Sequence, residues 1–156
     1  MGVRLTEDEA WDMLSKGHTG IITTLRRDGW PVSLPMWFAV LDHKIYMRTL
    51  AASKKALRIK RDERACFMVE SGEAWKDLAA VVVPVRASLI DANGEEAKRA
   101  LAAMGTKYAG WGLPQKRVPE ATKKHYGAGN VVIRLDPAGD MITWNNAKIR
   151  LKSAGE

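Results

Sequence analysis

Ser53-Lys54-Lys55-Ala56-Leu57-Arg58-Ile59-Lys60-Arg61 is the densest run of side chains able to engage a charged ligand in this 156-residue sequence. A serine ahead of a short helical run caps it, and the free N–H groups at a helix N-terminus face an anion. Lys54 and Lys55 add full positive charge beside those groups. Between residues 54 and 64, Lys54, Lys55, Arg58, Lys60, Arg61 and Arg64 stand against Asp62 and Glu63, so more than half of the net charge of +7 sits in one short stretch. Such a cluster attracts phosphate or carboxylate groups, on a small cofactor or on nucleic acid. On the residues alone, a solvated helix face with no ligand remains the alternative.

The rest of the chain offers little reactive apparatus. His18, His43 and His125 are scattered and stand at no metal-ligand spacing from one another or from Cys66. Gly110-Trp-Gly112 and Gly127-Ala-Gly129 lack the third glycine and the preceding parallel strand of a dinucleotide fingerprint. No serine sits in a nucleophile elbow. Cys66 falls in an apolar strand and reads as a small core residue rather than a reactive thiol. If the chain is an enzyme, its hard chemistry belongs to a cofactor. Trp37 and Phe38 on a strand, and Trp75 in a loop, can each stack on a planar ring; for Trp37, half-buried packing is the equal alternative.

Several elements must position these residues. Thr6 and Glu9 make a capping box, with Leu5 set to staple against Ala10, and the helix stops near Gly17. Gly20–Arg26, Val32–Val40 and Lys44–Leu50 read as strands joined by tight turns, Asp28-Gly29 being the stronger hairpin signal and Asp42-His43 the second. Pro31 and Pro35 cannot donate to a ladder, so the second strand is expected to be irregular or on an edge. After the basic helix come a strand at Ala65–Ser71 and a long β-rich segment, Ala79–Ile90, expected to be interrupted at Pro84. A helix is predicted over Glu95–Tyr108, a loop over 109–119, and a short helix over Glu120–Tyr126. Asn130–Asp136 and Asp140–Asn145 read as a last hairpin, and 147–156 as a flexible tail on a single domain spanning 1–156.

Composition bounds the class. The length suffices for a core without staples. No apolar run reaches the roughly 20 residues that span a bilayer, and the N-terminus lacks a signal-peptide core. Met1-Gly2 begins like a myristoylation signal, but Thr6 and the acids after it favour a helix start. A lone cysteine rules out an internal disulfide and fits a cytoplasmic protein.

Gly20-x-Ile-Thr-Thr-Leu, Asp28-Gly29-x-Pro31, Met36-Trp37-Phe38-Ala39 and Ile45-Tyr46-Met47 together resemble the split β-barrel flavin and deazaflavin oxidoreductases of the pyridoxamine-phosphate-oxidase-like superfamily. Ser53-x-Lys55-Ala56 followed by Arg61-Asp62 is similar to that family's phosphate-binding segment, above all in its actinobacterial deazaflavin-using branch. Trp144-Asn145-x-x-Lys148 looks like the family's final strand and its exit; residues 95–130 match only in having helix and loop. The resemblance implies a mainly β (α+β), FMN-binding-like split β-barrel of six or seven mostly antiparallel strands with flanking helices. It implies a homodimer with two cofactor sites along the subunit interface. The planar ring would lie against Pro35, Met36, Trp37 and Phe38, the phosphate on Thr49, Ser53 and Lys55 with Lys54 beside them. Trp75, from the other subunit, would cover the ring.

No side chain then need act as a strong acid or base. The expected activity is hydride transfer from reduced coenzyme F420 to a conjugated or quinone-like small-molecule electron acceptor. An FMN-dependent oxidoreductase of the same fold is the nearest rival, and a non-catalytic flavin, deazaflavin or haem binder a second class. Nucleic-acid binding through residues 53–61 is a third, disfavoured because the aromatics do not interleave with the basic run. Two departures from the family pattern stand out. Arg58 replaces a frequent Asn and either extends the anion site toward the polyglutamate tail of F420 or faces water. Val85 replaces a frequent Gly and bears on the strand bend near the interface.

Overall fold

The computed structural model describes residues 2–113, 115–127 and 129–150. Its elements run α1 (Glu7–Lys16), β1 (Gly20–Leu25), β2 (Pro31–Met36), β3 (Ala39–Leu41), β4 (Lys44–Leu50), α2 (Lys54–Arg61), β5 (Arg64–Ser71), β6 (Ala79–Asp91), α3 (Glu95–Lys107), α4 (Glu120–Gly127), β7 (Asn130–Pro137) and β8 (Ile142–Asn145). The capping box forms as read: Glu9 N–H donates to Thr6 Oγ1 at 3.2 Å and Thr6 N–H to the Glu9 carboxylate at 2.7 Å. None of the helices among the described residues is long and apolar enough to cross a membrane.

Seven strands pair antiparallel in the order β2-β1-β5-β6-β7-β4-β3, with β8 added to β6. β2 and β3 stand at opposite ends of that order, yet only Trp37 and Phe38 separate them in the chain. Three Cα steps cover at most about 11 Å. The sheet must therefore roll until its two edges meet at this corner, giving a barrel that is closed in shape and split in hydrogen bonding. The rolled interior holds Ile22, Phe38, Ile45, Met47, Phe67, Val83, Ile133 and Leu135, all essentially buried. Gly20 is required by this packing, since a Cβ there would lie 2.0 Å from Phe67 Cζ. α3 covers a second, smaller cluster of Tyr46, Ala97, Ala100 and Val132.

Four expectations need correction. The strand expected over Val32–Val40 is two strands broken at the corner, which raises the count to eight among the described residues. Pro84 does not interrupt β6: β8 covers Ala79–Val82 and β7 covers Val85–Asp91, so the missing N–H faces the gap where one neighbour gives way to the other. The Pro84 carbonyl on that same side still accepts Ala138 N–H at 2.8 Å. β7 and β8 do not form a hairpin; both run antiparallel to β6, end to end along it. Cys66 is exposed, because strand alternation puts Phe67 and Val69 inside and Cys66 outside, between Thr23 and Pro84.

The Asp42-His43 turn forms with both residues at positive φ (51° and 57°), as a two-residue hairpin demands, and His43 stacks on Trp11 at 4.4 Å. Residues 146–148 make a 3₁₀ turn, and Lys148 pairs with Glu9 at 2.6 Å rather than turning toward α2. The remainder of the expected tail, 151–156, lies outside the described residues.

Candidate functional site

At the N-terminus of α2, three of the predicted residues converge. Ser53 caps the helix by accepting Ala56 N–H at 3.2 Å. Its hydroxyl lies 3.1 Å from Thr49 Oγ1, which accepts from Lys55 Nζ at 3.3 Å. Thr49 is delivered from the last turn of β4, where pairing with β7 fixes its register opposite Val131. The Lys55 amine is pushed below its ordinary pKa, first by burial and then by the nearby Arg58 charge. The first turn of α2 holds no acid, and among the described residues Lys55 has no ion-pair partner. Hydroxyls, a desolvated ammonium and free helix N–H groups thus share one place with no counter-charge.

Lys54 points elsewhere, since neighbours on a helix are about 100° apart. With Arg26, Arg27, Asp28, Leu57, Arg58 and Arg61 it lines an open groove of about 680 Å³ between α2 and the β1–β2 turn. Asp28 is taken by Arg26 at 2.6 Å. Arg58 does not simply face water: it is 9% exposed, and its Nε donates to Thr24 Oγ1 at 2.8 Å. Burial, then the Arg61 charge, lowers its pKa. Arg61 is held by the Leu25 carbonyl at 2.6 Å. The groove is therefore cationic and partly preorganised.

Pro35, Met36, Trp37 and Phe38 form the barrel corner and its approach. Phe38 is wholly buried and supports the corner from behind; Met36 packs toward the core and Pro35 is exposed. Trp37 is 39% exposed and stacks on Tyr108 at 4.4 Å with the rings nearly parallel. Tyr108 fastens the corner: its hydroxyl accepts Phe38 N–H at 2.9 Å and donates to the carbonyl of His18 at 2.7 Å, with that of Phe38 at 3.1 Å. His18 and the exposed Trp111 edge the same aromatic group. Lys107 Nζ sits 3.7 Å from the Phe38 ring centroid, and burial pushes its pKa down to about 8. Sequence reasoning missed Tyr108, Lys107 and His18; a Lys-Tyr pair ending a helix was the sole local cue. Trp75 is exposed beyond the far end of β5, about 23 Å along the strand from where β5 begins, and among the described residues it has no ring contact with the corner aromatics.

Residues 6–138 match the family model described as pyridoxamine 5'-phosphate oxidase. No curated protein matches the sequence. Among solved structures, the conserved hypothetical protein Rv2991 of Mycobacterium tuberculosis is 26% identical, with a TM-score of 0.76 over 97% of this chain and 93% of its own. A FAD-binding protein of Mesorhizobium loti is 18% identical with a TM-score of 0.66, covering 89% of this chain and 94% of that one. HutZ, the haem storage protein of Vibrio cholerae, is 15% identical with a TM-score of 0.66 over 92% and 96% of the two chains. The last two speak to the fold alone.

Proposed function

The chain belongs to the pyridoxamine 5'-phosphate oxidase family, and from that premise we propose that it is an oxidoreductase binding a phosphorylated, flavin-type ring, with coenzyme F420 as the cofactor. The observation that carries this is the Thr49–Ser53–Lys55 cluster, a desolvated cation at a helix N-terminus without a carboxylate. A phosphate fits that donor set: it would accept from Lys55, from the hydroxyls and from the helix N–H groups. When bound, such a ring supplies hydride transfer to a conjugated or quinone-like acceptor. The protein's own part is to hold the phosphate, to offer the Pro35–Phe38 corner to the ring, and to exclude water.

F420 is favoured over FMN because the groove lined by Lys54, Arg58 and Arg61 can take carboxylates beyond the phosphate. A homodimer fits the same reading. The outer face of β1, β2 and β5 presents Ile21, Leu25, Pro35, Cys66 and Met68 between the charged ends Arg64 and Glu70 of β5. On this reading the ring is covered by Trp75 of a second copy. The second reading is a carrier of flavin or haem without turnover, favoured by the fold shared with FAD-binding and haem-storing proteins.

Titration of the purified protein with F420 and with FMN, followed by ligand fluorescence, tests the proposal. Binding of F420 at least tenfold tighter than FMN is expected. Binding of neither would remove it.

A further inference from the structure

Among the described residues, the buried side-chain polar atoms without a hydrogen-bond partner are Trp11 Nε1, Ser88 Oγ and Lys107 Nζ, and only the last bears charge. Its neighbours are the faces of Phe38, at 3.7 Å, and Tyr108, at 5.3 Å. Among the described residues no carboxylate lies within ion-pair range of it. The C-terminal end of α3 and the two ring faces offset part of the cost of burying an ammonium, but not the missing counter-ion. An apolar residue would fill this place more cheaply. The charge lies directly behind the corner formed by Trp37 and Phe38. A fixed cation in a low-dielectric setting acts on negative charge that develops nearby.

We propose that Lys107 is the counter-charge for the reduced, anionic form of the ring held at the Trp37–Phe38 corner, a step that rests on the cofactor reading above. Hydride transfer to a neutral ring from a donor such as a reduced nicotinamide would break the donor's C–H bond and form one new bond to hydrogen on the ring; the ring's double bonds shift to take the electron pair and one negative charge, and the donor leaves oxidised with one more positive charge. Lys107 is shielded from the ring by Phe38, so it is a positioning residue that acts through its field. It therefore favours the reduced ring over the oxidised one and sets the potential of the bound cofactor.

The test uses the full-length protein and measures anaerobic affinity for FMN and for F420, each oxidised and reduced, in the wild type, Lys107→Met, Lys107→Gln and Lys107→Arg. Thermal unfolding of each variant without ligand confirms the fold. In Lys107→Met and Lys107→Gln, affinity for the oxidised form should stay within twofold while the reduced form binds at least fivefold more weakly. Lys107→Arg should return the wild-type ratio. Equal weakening of both forms would show a packing role only, and an unchanged ratio would remove the charge role; either overturns the inference and leaves the cofactor reading standing. A wild type that binds neither ligand removes both.

Discussion

Lys55 and Lys107 are both partly desolvated, both depressed in pKa, and both without a carboxylate partner among the described residues, but they sit at opposite kinds of helix end. Lys55 is at the N-terminus of α2, where the helix dipole opposes a cation and the companions are the Thr49 and Ser53 hydroxyls. Lys107 closes α3, where the dipole favours a cation and the companions are aromatic faces. An unpaired cation among hydroxyls and open N–H groups is set for an anion that docks on it. One sealed among rings cannot be touched and is left to act at a distance. Elsewhere several cations of the fold have ordinary carboxylate partners, as in Arg64–Asp62, Arg86–Glu63 and Arg134 with Glu96 and Asp136.

The contrast can be broken most forcefully at Phe38, which is wholly buried and carries the Lys107 ammonium on its face. Phe38→Ala should cost about 3–5 kcal/mol in urea unfolding. A loss below roughly 1 kcal/mol, a minor change for a core site, would mean that the corner is not packed as described. Lys107→Met gives a smaller effect of opposite sign. In the folded protein Lys107 releases its proton near pH 8, against 10.5 when unperturbed. Between those values the unfolded chain holds more protons, so wild-type stability rises across that window. Lys107→Met should therefore melt above the wild type at pH 7, and the gap should narrow toward pH 10. A gap constant with pH would show that charge burial is not what separates the two. The smallest effect is expected in the groove. Lys54→Ala should weaken F420 by roughly threefold, the usual weight of one exposed charge near a helix end, while FMN affinity stays unchanged. Equal loss for both ligands would place Lys54 on the shared phosphate instead.

The two lysines also divide what could be read in advance. Thr49, Ser53 and Lys55 lie within one strand end and one helix turn, so capping chemistry and spacing suffice to bring them together. Lys107 and Tyr108 meet Trp37 and Phe38 only because the sheet rolls and α3 lies against β3, contacts about seventy positions apart in the chain. Cys66 shows a related limit. Cys66 and Met68 are nearly as apolar as Phe67 and Val69, so alternation separates two faces without saying which is inside. The Asp28-Gly29 turn announced its hairpin through local chemistry, whereas β8 chose β6 over β7 because β6 outruns β7 and leaves free edge at Ala79–Val82. Pro84 belongs to the same class, harmless only because two different strands meet opposite it.

The decisive measurement compares FMN with riboflavin, which has the same ring and no phosphate, in the wild type and in Lys55→Ala. If the Thr49–Ser53–Lys55 cluster holds a phosphate, the wild type should bind FMN at least tenfold more tightly than riboflavin. Lys55→Ala should remove roughly 1–3 kcal/mol of that preference and leave riboflavin affinity untouched. Equal affinity for the two ligands, or an FMN preference that survives Lys55→Ala intact, would contradict the assignment of this cluster as the phosphate site.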